Sequence, residues 1–107
     1  MKTTSRPSTK NAVSDDLETA ARVADILKAV AHPLRLRIVA MLCEGEMQVN
    51  GLAERLGALP AIVSQQLRIL RMHRLVSVVR ANGCATYRLQ EPRLRDLVGC
   101  MEKCSLH

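Results

Sequence analysis

Two groups of residues in this chain have types and spacings that could do chemistry. The first is a run of arginines. Arg55, Arg68, Arg71, Arg74, Arg80 and Arg88 follow one another with no Asp or Glu between them, and Glu54 and Glu91 bracket the stretch. Residues 1–53, by contrast, hold seven Lys/Arg against six Asp/Glu and nearly cancel. A field of one sign is what a polyanion-binding face needs, because each neutralised phosphate releases condensed counterions.

The second group is four cysteines, Cys43, Cys84, Cys100 and Cys104. Cys100 and Cys104 stand at i, i+4 and project from one side of a helix. Asp96, Cys100, Cys104 and His107 continue as a possible ligand row. Two thiolates beside a third donor suit As(III) or a soft divalent metal such as Cd, Pb or Hg, with Zn a further candidate, better than a hard cation. The same cysteines, with Leu97 and Met101, would equally extend an apolar stripe, since a buried Cys behaves as a small hydrophobe. Cys43 closes the second predicted helix and is a candidate third ligand, or a partner for a C-terminal thiol on oxidation.

The elements that must position these residues follow from periodicity and punctuation. Residues 1–13 are rich in Ser, Thr, Lys and Pro and read as a flexible basic tail; residues 14–107 form one domain. Ser14, with Asp15, Asp16 and Glu18 behind it, marks a helix start. Leu17, Ala20, Ala21, Ala24, Leu27 and Ala31 then recur at helical spacing. His32-Pro33 ends that helix and opens a second to about Cys43, with His32 capping or packing beside Pro33. Val49, Leu52, Ala53 and Leu56 make a short third helix that stops at Gly57. Pro60 opens a fourth, with Val63, Leu67 and Leu70 inside and Ala61, Ser64, Gln65, Arg68 and Arg71 outside. After Leu75 the period becomes two. Residues 76–80 and 85–89 read as strands joined through Asn82-Gly83, the favoured pair for a tight hairpin turn. Pro92 begins a last helix with Leu94, Leu97, Val98 and Met101 on one stripe. The fold is therefore mainly α with a β-hairpin, in the order α-α-α-α-β-β-α: a winged helix-turn-helix.

Four segments carry a family resemblance: residues 31–38 (Ala-His-Pro-Leu-Arg-Leu-Arg-Ile), Gly45-Glu46, residues 51–57 (Gly-Leu-Ala-Glu-Arg-Leu-Gly) and residues 63–70 (Val-Ser-Gln-Gln-Leu-Arg-Ile-Leu). Together they resemble the ArsR/SmtB family of bacterial repressors over about residues 17 to 106. The resemblance implies a homodimer paired through the first and last helices, repression of a nearby promoter, and release by a metal, metalloid or oxidant. Double-stranded operator DNA is then the partner, and no cofactor is required to bind it. Ser64, Gln65 and Gln66 are the candidates for base edges, since Gln can contact adenine in bidentate fashion. Arg68, Arg71, Arg80 and Arg88 would hold phosphates, with Asn82 near the minor groove at the wing tip. His73 would sit on the phosphate side. Cys84 belongs to the wing tip and has no expected sensing role.

The chain departs from the family in places. Leu59 stands where a capping Ser is usual, Pro60 and Ala61 where polar residues are common, and Gln66 where His is frequent. The Cys-x-Cys of arsenite-sensing members is replaced by Gln48 and Asn50. Thiol-switch members place their cysteines differently. The alternatives are a redox- or sulfide-responsive repressor of the same fold, an effector-free DNA-binding regulator, or a protein-interaction module.

Composition narrows the remaining classes. The chain has 107 residues, a formal net charge of +6 and a single aromatic residue. At this length a monomer buries only about 60–70% of its unfolded surface, which favours a partner chain and argues against a deep catalytic pocket. No Ser/His/Asp order, Gly-rich phosphate loop or Cys-x-x-Cys points to an enzyme. No apolar run of about 18 residues and no secretory leader is present, so a cytoplasmic protein with free thiols is expected.

Overall fold

The computed structural model describes residues 13–103; the basic tail, Cys104 and His107 lie outside the described residues. The element order is α1 (Leu17–Val30), α2 (Pro33–Glu44), β1 (Met47–Gln48), α3 (Val49–Leu56), α4 (Pro60–Met72), β2 (Val76–Ala81), β3 (Cys84–Leu89) and α5 (Pro92–Lys103). It matches the expected order with one addition, the two-residue strand β1.

Each boundary has a local cause. Helix α1 begins three residues later than Ser14 because Asp16 supplies the cap: its carboxylate accepts from the Glu18 N–H at 3.1 Å and from the Thr19 hydroxyl at 2.6 Å. The Thr19 hydroxyl holds the Asp16 carboxyl below its ordinary range, so the cap is in place at neutral pH and is lost as pH falls through that lowered value. Pro33 opens α2, and His32 Nδ1 accepts the Leu34 N–H at 3.1 Å, the capping role expected of it. Gly57 ends α3 at φ 66°, where its own N–H reaches back to Ala53 and Glu54. Pro60 opens α4 with no side-chain cap, since the Leu59 side chain has no oxygen; only its carbonyl accepts, from the Ile62 and Val63 N–H groups at 3.0 and 3.1 Å.

The end of α4 is closed by paired reverse hydrogen bonds, Leu75 N–H to Leu70 O at 3.0 Å and Arg74 N–H to Arg71 O at 2.9 Å. This closure puts Arg74 at φ 61°, a left-handed conformation that glycine adopts freely and an L side chain does not. Arg74→Gly is therefore expected to raise stability by about 1 kcal/mol. Thermal unfolding would show this as a Tm increase of roughly 4–8 °C.

The hairpin is built as its turn predicts. Asn82 and Gly83 both have positive φ, at 53° and 78°, and join strands paired from Val76↔Leu89 to Ala81↔Cys84. Strand β1 adds to the other edge of β3, in the order β1-β3-β2, with Met47 opposite Tyr87 and Gln48 opposite Thr86. This pairing ties the start of the helix-turn-helix to the wing.

The core is apolar throughout, with no buried polar residue among those described. Ile38 and Leu42 of α2, Leu52 of α3, Val63, Leu67 and Leu70 of α4, and Leu94 of α5 are all buried. The inner face expected for α4 is thus the observed one. By contrast, α1 and α5 leave apolar surface open: Leu17 is 85% exposed, Leu27 47% and Met101 44%. A groove between these two helices is lined by Val23, Ile26, Leu27 and Leu97, with Arg93 and Asp96 at its edge. None of the described helices is long and apolar enough to cross a membrane.

Candidate nucleic-acid interface

Helix α4 presents one row outward. Ala61, Ser64, Gln65, Arg68 and Arg71 are all exposed, and with Tyr87 of β3 they line an open notch of about 420 Å³. The notch therefore runs along the helix where it meets the sheet. Leu59 and Ile62 extend the exposed surface at the helix start with apolar atoms.

The arginines divide into two sets. Arg55 is paired with Glu44 at 2.9 Å, and Arg88 with Glu46 at 3.8 Å. Both acids belong to the segment around the end of α2. Arg68, Arg71, Arg74 and Arg80 have no carboxylate partner among the described residues. The unneutralised field is thus concentrated on α4, its end and the wing strand β2.

The pleat sorts the wing residues by face. Arg80 shares its face with Val76 and Val78, the side packed toward the core, whereas Arg88 stands opposite Ser77 on the other face and donates to its hydroxyl at 3.3 Å. Arg80 and Arg88 therefore stand on different sides of the hairpin. Asn82 and Cys84 are exposed at its tip.

Gln66 is set apart from Ser64 and Gln65. It is half-buried, and its side-chain oxygen accepts from Arg35 Nη1 at 2.9 Å. Arg35 Nε also donates to the carbonyl of Ala29 at 2.6 Å. That carbonyl lies in the last turn of α1, and Pro33, four residues on, has no N–H to give it. One guanidinium thus ties the end of α1 to the middle of α4. A second tie runs from Arg22 of α1, which donates to the His73 carbonyl at 3.4 Å and pairs with Glu91 at 3.2 Å. Glu91 in turn accepts the Arg93 N–H at the start of α5. His73 caps α4 through its backbone and is half-buried. Arg35, Arg22 and Tyr87 are the residues of this region that motif reading had passed over.

Three thiols, Cys43, Cys84 and Cys100, lie among the described residues, all of them free. Cys43 is half-buried at the end of α2, its carbonyl accepts from Arg95 Nη1 at 2.6 Å, and burial pushes its thiol up against the opposing pull of Arg95. Glu102 of α5 and Glu44 add to the upward push. Cys100 is exposed beside a shallow surface depression that it lines together with Arg95, Asp96, Gly99 and Lys103. Among the described residues no group of three His, Cys, Asp or Glu could hold a metal. Cys104, the other thiol of the expected ligand set, lies outside the described residues.

With this geometry in view, residues 32–78 match the family model of the bacterial regulatory proteins of the arsR family. A biofilm growth-associated repressor of Xylella fastidiosa is 38% identical over 88 residues, covering 81% of this chain and 77% of the relative. The chain belongs to the arsR family. The HTH-type transcriptional regulator NmtR of Mycobacterium tuberculosis is 40% identical over 83 residues, covering 78% of this chain and 69% of that one. Among solved structures, the transcriptional repressor BigR of Xylella fastidiosa superposes with a TM-score of 0.76 at 35% identity, covering 83% of this chain and 93% of that one. As a member of this family the chain is a winged helix-turn-helix transcriptional repressor that binds DNA, and not an enzyme. Helices α3 and α4 are its helix-turn-helix, and β2 and β3 its wing.

Proposed function

We propose that two copies of this arsR-family chain pair through α1 and α5 in the cytoplasm and repress transcription by binding the DNA upstream of their own coding sequence. The proposal adds that a thiophilic metal or metalloid such as As(III), taken up at Cys100 and Cys104, releases that DNA. The observation that carries the DNA-binding half is the open row of α4, polar at Ser64 and Gln65 and cationic at Arg68 and Arg71, without a neutralising carboxylate among the described residues. Ser64 and Gln65 reach base edges, while Arg68, Arg71 and Arg80 hold phosphates. Arg88 and Asn82 add contacts from the wing. Gln66 acts from behind, through Arg35.

Pairing is supported by the apolar surface that α1 and α5 leave open, which a second copy of the same surface would cover. The two recognition helices would then enter successive major grooves about 34 Å apart. For release, the support is the place of Cys100 on α5, a helix of that pairing surface, with Cys104 one turn further along the sequence. A ligand bridging these thiols would bear directly on the pairing geometry, and couplings of this kind are typically worth about 1–3 kcal/mol. Cys43, whose carbonyl is held by Arg95 of α5, is the candidate third ligand.

Fluorescence anisotropy of reduced, metal-free protein on its upstream DNA tests the release. Arsenite, Cd(II) and a mild thiol oxidant are added separately. Arsenite or Cd(II) should lower affinity by roughly 5- to 150-fold, and Cys100→Ser with Cys104→Ser should abolish the effect. Release by the oxidant alone would replace the metal reading with a redox one. Binding that none of the three disturbs would leave a regulator without a thiol effector.

A further inference from the structure

Tyr87 is the chain's single aromatic residue. It occupies the middle of β3, opposite Val78 on one side and Met47 on the other, and only 7% of it is exposed. It is also the sheet's contribution to the α4 notch, whose other walls include Ser64, Arg68 and Arg71. Packing alone explains the ring, and phenylalanine would serve that purpose equally. It does not explain the hydroxyl. A buried phenol ordinarily hydrogen-bonds its oxygen, yet among the described residues none is bonded to that of Tyr87.

The notch offers the chemistry of the missing partner. Arg68 and Arg71 bring two guanidinium groups without carboxylate partners among the described residues, and Ser64 brings a neutral hydroxyl. Cations and O–H donors gathered at one notch suit the non-bridging oxygens of a phosphodiester. We infer that Tyr87 donates its hydroxyl to a backbone phosphate of the bound duplex, at the notch where Arg68 and Arg71 neutralise that phosphate. This rests on the DNA-binding reading and adds a contact to it. Because Tyr87 is fixed by strands on both sides, the contact would set how the recognition helix sits relative to the DNA backbone. It carries no base information.

The test compares the full-length wild type with Tyr87→Phe on the upstream duplex and on an unrelated duplex across a salt series, alongside thermal unfolding of both proteins. Tyr87→Phe should bind both duplexes at least about 100-fold more weakly, since a homodimer loses a hydrogen bond to a charged acceptor at each of two half-sites. Its salt dependence should not change, because no charge is removed. Its Tm should be equal or higher, since a hydroxyl without a protein partner adds nothing to the fold. Neutral methylphosphonate substitution at one phosphate per half-site should weaken the wild type, with no further loss in the variant. In protein labelled with 13Cζ-tyrosine, the single resonance should move with duplex DNA and not with an equal concentration of inorganic phosphate. Equal affinities of wild type and variant, a lowered Tm, or a resonance that responds to phosphate alone would each overturn this inference while leaving the DNA-binding reading standing. Failure of the wild type to bind either duplex would overturn both.

Discussion

Gln65→Ala should weaken binding to the upstream DNA by at least about 30-fold, and should do so unequally across sequences. A bidentate contact from Gln to adenine is worth about 1–3 kcal/mol of discrimination, and a homodimer loses it at two half-sites. The side chain is free to make such a contact: it is exposed, lies on the same row as Ser64 and Arg68, and has no protein partner among the described residues. Arg68→Gln should behave differently. It removes a charge at each half-site, so affinity should fall for any duplex and the slope of log affinity against log salt should shrink by about two. Anisotropy titrations on the upstream duplex and on single-base variants separate the two outcomes. A uniform loss with Gln65→Ala would mean that Gln65 touches the backbone and not a base.

Arg35→Met should be the most damaging change outside the apolar core, lowering stability by about 2–3 kcal/mol and Tm by on the order of 10 °C. The methionine keeps much of the apolar stem but removes both hydrogen bonds. It leaves the Ala29 carbonyl, on a residue 3% exposed, without the donor that Pro33 cannot supply. Gln66→Ala should cost less, about 1 kcal/mol, since Arg35 keeps its hold on Ala29. The double variant should be no worse than Arg35→Met by more than a few tenths of a kcal/mol, and that shortfall is the coupling energy of the pair. Both single variants should also weaken DNA binding without changing sequence preference, because they loosen the seat of α4 against α1 and not its outward row. Thermal unfolding with the same anisotropy titrations checks both statements.

The tie also bears on how a signal on the pairing helices could reach the DNA-facing one. Arg35 links α1 to the middle of α4, while Arg22 links α1 to the end of α4 and, through Glu91, to the start of α5. A shift of α1 or α5 therefore acts on α4 through two guanidinium groups as well as through packed side chains.

Most of this frame was legible in the sequence because punctuation and period agree. Pro33, Pro60 and Pro92 each open a helix where proline is tolerated, and Asn82-Gly83 forms the two-residue turn that joins β2 to β3. The inner and outer rows of α4 followed from spacing alone. Strand β1 was not legible, since Met47 and Gln48 are too few to show an alternating pattern, and their pairing depends on where β3 lies. Gln66 was grouped with its neighbours by motif. Its position three residues after Val63 and four before Leu70 places it at the border of the buried stripe, and that was the available signal. The partner it finds there, Arg35, lies 31 residues away and only the packing of α2 on α4 brings it in. The thiols show the same limit: i, i+4 spacing reads Cys100 and Cys104 as one side of a helix, but no spacing rule says that Arg95 of α5 meets the Cys43 carbonyl. The notch at Tyr87 needed both the register of the sheet and its height against α4.

The central claim is that the outward row of α4 recognises the DNA upstream of this chain's own coding sequence. Its most direct test is anisotropy of reduced, metal-free wild-type protein on that duplex and on an unrelated duplex of equal length, with stoichiometry taken from sedimentation. The account predicts two chains per site and a specific affinity roughly 10³-fold or more above the non-specific one. Equal affinity for both duplexes, or no binding to either, would contradict it.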